Sequence, residues 1–241
     1  METQNTALKG GMVKCVIFLF CYIVFIKILP YFLHNPNYQC AMYIVMGIAG
    51  LLISLPELKE AGASWKAHPV RNVLLIIGGF IVVNILDNLA TIPYALLYSE
   101  QAGSINDGNL EVARQLAEPV LLVLGVGIMG PIVEETVFRS ILMRKQGDFI
   151  PKAVVVIVSS VLFGMIHLHA FTVPEMLSIL PHVCFGIAMA ILYLKTKNIT
   201  LVYALRINSF NPSSKRRRSL SFLGFPPTVP IATTEFCSIP S

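Results

Sequence analysis

Glu134-Glu135-Thr136-Val137-Phe138-Arg139 and, further along, Phe163-Gly164-Met165-Ile166-His167 are the stretches of this chain whose residue types and spacing point to chemistry. Both sit inside long apolar runs, where an ionisable group costs at least about 2.5–3.5 kcal/mol on insertion scales and so needs a compensating reason. Glu135 and Arg139 are four apart, one helical turn, in the favourable order for an ion pair. Glu134 points roughly 100° away around the same helix and is expected to lack that partner. A carboxylate so placed suits a general base that takes a proton from water. The turn between the two runs centres near Ile150-Pro151, with Glu134 sixteen positions before Ile150 and His167 seventeen after it. Residues equally far from the turn of an antiparallel hairpin lie level, so the two side chains are predicted at matching depth. Two plainer readings stand beside this one: a solvated helix end for the charged triplet, and a hydrogen-bonded packing role for the histidine.

Other polar residues in apolar surroundings are fewer. Asn84, Asp87 and Asn88 are spaced i, i+3, i+4 and share one helix face. Such a stripe either holds helices together or lines a polar cavity shared with Glu134. His169 lies about 200° around the helix from His167 and is read as interfacial, and His182 as structural. Lys27 interrupts an otherwise apolar run, and its long stem permits it to snorkel outward.

The elements that must carry these residues follow from composition. Of 241 residues, 55% are hydrophobic and only 13% charged, against about 25% charged in a soluble domain. A water-soluble globule is therefore excluded. The net charge of +5 sits beside apolar runs, as loop charges of a membrane protein do, and nucleic acid is set aside as a partner in favour of the lipid bilayer. Runs near the length of about 20 apolar residues that a bilayer requires fall at 12–33, 39–55, 72–97, 118–143, 151–170 and 175–194. The expected fold is an all-α, polytopic transmembrane helix bundle of about six spans, and the first run, which lacks a cleavage site, is read as a retained anchor. Lys9 and Lys14, then Lys59, Lys66 and Arg71, then Arg144, Lys145 and Lys152, then Lys195 and Lys197 fall in alternate loops. The opposite loop 98–117 carries Glu100, Asp107 and Glu111 against Arg114. This charge bias predicts a multi-pass protein of the cell membrane with both termini cytoplasmic. The five cysteines show no CxxC spacing and read as small hydrophobes. Three regions are expected: 1–71 with two N-terminal spans and a cytoplasmic loop, a core at 72–210, and a polar tail at 211–241. The tail carries the basic block Lys215-Arg216-Arg217-Arg218 and is read as disordered, its block touching anionic lipid. A lost final helix is the alternative.

The combination Glu134-Glu135-x-x-x-Arg139 with Phe163-x-x-x-His167 a hairpin away resembles the CPBP intramembrane protease family, also called the ABI or type II CAAX prenyl endopeptidase family. The resemblance covers roughly residues 70–208, and Gly186 with Tyr193-Leu194-Lys195-Thr196-Lys197-Asn198 is similar to that family's run into its last conserved helix. It implies hydrolysis of a peptide bond in membrane-associated or prenylated substrates. Glu134 is implied as the base that activates water, His167 as sharing that water, and Glu135, Arg139 and Phe163 as support. A divalent metal such as zinc, held by Glu134 and His167, is implied by the family's usual description as metalloproteases. A zinc shell normally has three protein ligands, so a metal-independent glutamate mechanism is equally open. The family's last motif sets a histidine four residues before an Asn or Asp. Here Asn208 is in place, and Ala204 stands where the histidine belongs. That departure leads to the expectation of a diverged or frame-shifted end from about residue 206. It also favours a rival function: a catalytically inactive scaffold or binding protein of the same fold, as in bacteriocin self-immunity. A proton-relaying transporter is a third reading, without repeats to support it.

Overall fold

The computed structural model describes residues 2–98, 104–143 and 150–209. The tail 211–241 with its basic block and Cys237, together with Glu100, Arg144 and Lys145, lies outside the described residues. What is described is all-helical: a multi-pass membrane protein.

The described residues include the helices α1 Glu2–Cys21, α2 Pro36–Ile53, α3 Leu55–Ala67, α4 Pro69–Leu97, α5 Ile105–Leu116, α6 Pro119–Ile141, α7 Lys152–Met165, α8 Val173–Ser178, α9 Leu180–Thr196 and α10 Ile199–Ser209. Among the described residues, four segments are long and apolar enough to cross a bilayer: α2, α4, α6 and the Val173–Thr196 segment formed by α8 and α9. The run 12–33 is not one uniform α-helix. Winding changes from α to π over Tyr22–Ile28, and a short turn of helix begins at Pro30, whose ring supplies no N–H to the preceding turn. The fifth predicted span is only 14 residues of helix, α7, ending at Met165. The chain beyond it turns at His167 instead of continuing to 170.

Sequence punctuation accounts for several ends. Asn35 caps α2 by accepting from the N–H groups of Asn37 and Tyr38, with Pro36 at the first helical position. Ser104 caps α5 through the N–H of Asp107 at 3.2 Å. Lys197 adopts a left-handed conformation, φ 50°, and closes α9 by donating its N–H to the carbonyl of Tyr193.

The centre of the bundle is α6. Every residue from Gly130 to Ile141 is buried, whereas most of α4 faces outward. The first helices are not a separate layer: Phe18, Tyr22 and Tyr43 join Val133, Phe138, Phe163 and Tyr193 in one core. Small residues permit the closest crossings, as is usual where hydrocarbon surrounds the helices. A Cβ on Gly125 of α6 would stand 2.5 Å from the carbonyl oxygen of Cys40 on α2, and one on Gly186 of α9 3.0 Å from Cα of Ser160 on α7. Gly125→Ala is accordingly expected to push α2 off α6 at a cost of about 1–3 kcal/mol. A lowered thermal unfolding midpoint in detergent would register it, and an unchanged midpoint would contradict so tight a crossing.

Candidate active site

The charged triplet is not a solvated helix end. Glu135 and Arg139 are fully buried and Glu134 is 8% exposed. They straddle the junction at Thr136 where α6 changes from α winding over Gly130–Glu135 to π winding over Thr136–Ile141, an irregularity that recurs at functional sites. Arg139 Nε lies 3.0 Å from Glu135 Oε2. Its Nη2 donates to the carbonyl of Gly186 at 3.0 Å, and the guanidinium lies over the Phe163 ring at 5.4 Å. The predicted pair thus ties α6 to α9 and α7.

Glu134 and His167 stand together, Oε1 to Nε2 3.8 Å. The end of α7 aims the histidine: its Nδ1 is 2.9 Å from the carbonyl oxygen of Phe163, one turn back. When Nδ1 carries the proton and donates to that carbonyl, Nε2 presents a lone pair to Glu134. Phe163 is fully buried and packs edge-on to Phe138 at 5.2 Å. The His182 ring stacks on that of His167 at 4.1 Å, so the residue read as structural borders the site.

One expectation is corrected. Glu134 is not without a counter-charge, because Arg206 of α10 donates to its Oε2 through Nη2 at 2.6 Å and Nε at 3.2 Å. The Arg206 guanidinium also lies 5.2 Å from the ring of Phe163 and 4.8 Å from that of Phe185. Residues 206–209 continue the helix begun at Ile199 instead of breaking from it. Asn208 is exposed and turns its side-chain amide back to the carbonyl of Ala204 at 2.8 Å. Several bonds hold α10 in place: Tyr203 OH to Thr136 Oγ1 at 3.0 Å and to Ser54 Oγ at 3.2 Å, and Trp65 Nε1 to Thr200 Oγ1 at 2.8 Å.

Lys27 does not snorkel outward. Its ammonium donates to the carbonyl of Ile166 at 2.8 Å, satisfying an end-of-helix acceptor beside His167. Asn84, Asp87 and Asn88 stay exposed on α4, and the two amides bond back to the carbonyls of Phe80 and Asn84 at 2.7 Å. His169 is half-buried in the segment after α7.

A divalent metal does not fit this donor set. One glutamate oxygen and one histidine nitrogen converge, and the other glutamate oxygen is held by a guanidinium. His182 offers its ring face, the two planes lying 29° apart. Among the described residues no three His, Cys, Asp or Glu side chains are grouped to hold a metal.

Residues 116–207 match the family described as Type II CAAX prenyl endopeptidase Rce1-like. This stretch is Rce1-like. No curated protein and no solved structure gives a match. The Rce1-like stretch holds Glu134, Glu135, Arg139, Phe163, His167 and Arg206, so the six residues gathered around the Glu134–His167 pair belong to the matched part of the chain. Lys27, Ser54 and Trp65, which brace it, do not.

Proposed function

We propose that the chain is an intramembrane endopeptidase of the type II CAAX prenyl kind, acting on membrane-associated or prenylated peptides with a water activated by Glu134. The observation that supports it is the Glu134 and His167 pair: two acceptors facing each other at 3.8 Å are too far apart for a direct hydrogen bond, and a water seated beside the pair is within reach of both. Glu134 takes a proton from this water as the water oxygen bonds to the scissile carbonyl carbon, and returns it to the nitrogen as the C–N bond breaks. Arg206 brings a fixed positive charge to the same site, the kind of group that stabilises a developing oxyanion. No metal enters this scheme. The cytoplasmic placement of both termini in the cell membrane belongs to the same proposal.

A second reading is favoured by Arg206 itself. A guanidinium clamped on the carboxylate suits a non-hydrolytic membrane scaffold that keeps the fold and has given up the chemistry, with bacteriocin self-immunity as one setting. Purified protein in detergent with a fluorogenic prenylated peptide separates the two. The hydrolase reading expects turnover that a chelator leaves unchanged and that Arg206→Gln lowers by about 100-fold or more. Turnover no higher than that of Glu134→Gln would establish the scaffold instead.

A further inference from the structure

Helix α5, Ile105–Leu116, belongs to no part of the site, yet its three faces are sharply divided. At about 100° per residue, Ile105, Val112 and Leu116 fall within roughly 40° of one another, and Asp107, Glu111 and Arg114 cluster on the opposite side. The apolar stripe is not spent on the protein: Ile105, Val112 and Leu116 are 44%, 51% and 65% exposed. Between the two lies a third face, with half-buried Asn106, Leu110 and Ala113, of which Ala113 packs toward Ala117 and Leu122.

The helix is fastened at both ends. The N–H of Ile105 donates to Glu175 Oε1 on α8 at 2.7 Å, and Glu175 is buried. Just past its other end, the N–H of Glu118 donates to Asn37 Oδ1 at the start of α2 at 2.8 Å. α5 therefore lies where α2 and α6 begin, beside α8. Four residues beyond Leu116, at the start of the membrane-crossing α6, Val120 is strongly exposed as well.

We propose that α5 is an interfacial helix that lies along the bilayer surface, with Ile105, Val112 and Leu116 seated at the boundary between headgroups and acyl chains. Its half-buried face rests on the end of the bundle and its charged face meets water, the arrangement that holds amphipathic helices in the plane of a membrane. Continuity with the exposed apolar start of the membrane-crossing α6 selects lipid as the occupant of the stripe.

Trp65 is the only tryptophan in the sequence, which makes tryptophan scanning direct. Val112→Trp, Leu116→Trp, Glu111→Trp and Gln115→Trp would each be placed in a Trp65→Phe background. The full-length protein would then be reconstituted in phosphatidylcholine vesicles with or without lipid brominated near the top of the acyl chain. Bromolipid is expected to quench positions 112 and 116 several-fold more than 111 and 115, and aqueous acrylamide to do the reverse. Equal acrylamide quenching at all four positions would place the stripe in water. Protection of 112 and 116 from both quenchers would mean that protein, such as a second copy, covers them. Either result overturns the proposal. If Trp65→Phe lowers the yield of folded protein, the same four variants in the native background, with Trp65 as a constant contribution, give the same comparison.

Discussion

Glu134→Gln is expected to lower the proposed peptide hydrolysis by about 100- to 10,000-fold, the usual contribution of a positioned acid–base group, with the helices still assembled. Glutamine keeps the shape of the side chain and an oxygen that can accept from Arg206, so the contact with α10 at 2.6 Å has a neutral replacement. It removes the oxygen able to take a proton from water beside His167. The mutation also leaves the Arg206 guanidinium without its counter-charge, and Glu134→Gln/Arg206→Gln is the control that separates this electrostatic cost from chemistry. Turnover of a fluorogenic prenylated peptide, with size-exclusion profiles in detergent as the folding check, supplies the measurement. Wild-type turnover retained in the single variant would dismiss Glu134 as the base.

The second large effect concerns folding. Arg139→Met strands the Glu135 carboxylate at a position with no solvent exposure, and removing one partner of a buried ion pair costs about 3–5 kcal/mol. That is a large part of the stability of an ordinary domain, so the variant is expected to be lost during purification or to unfold many degrees lower. Apolar groups of similar volume at both positions are often neutral or stabilising. Glu135→Leu/Arg139→Met should therefore recover most of the unfolding midpoint. If the double variant is as damaged as the single one, the loss comes from the guanidinium packed over Phe163 and bonded to Gly186, and the charge balance is secondary.

The sequence was informative where one helix or one hairpin determined the outcome. Glu135 and Arg139 are a local pair, fixed by helical repeat alone. Glu134 and His167 stand 3.8 Å apart, at the matching depth that counting from Ile150 predicts, although most of the residues joining the two helices lie outside those described. Arg206 was overlooked because its partner is reached through a third helix. Its position depends on how α10 is pinned by Tyr203 and Trp65, and no spacing rule along the chain encodes those contacts. A signal was present all the same: an arginine in the apolar run that begins at Ile199 demands a counter-charge by the same reasoning that singled out Glu134. Lys27 shows the complementary limit. Its long stem allowed either an outward or an inward course, and the choice was made by a carbonyl of Ile166 that lies 139 positions away. The π winding within α6 and after α1 likewise has no counterpart in the hydrophobic pattern, since an apolar run reads the same at either helical repeat.

Cys40 against Gly125 and Lys27 against Ile166 bear on how much chain this site needs. Both contacts join helices before residue 116 to the stretch that resembles other proteins, one at its first span and one beside its histidine. The unit that can be moved intact between scaffolds is consequently larger than the unit that can be recognised by likeness. A chimera cut at the edge of the recognisable stretch would inherit the reactive side chains without the braces that aim them. Of the two contacts, only that of Lys27 depends on the side chain of an N-terminal residue, since Cys40 meets Gly125 through its backbone.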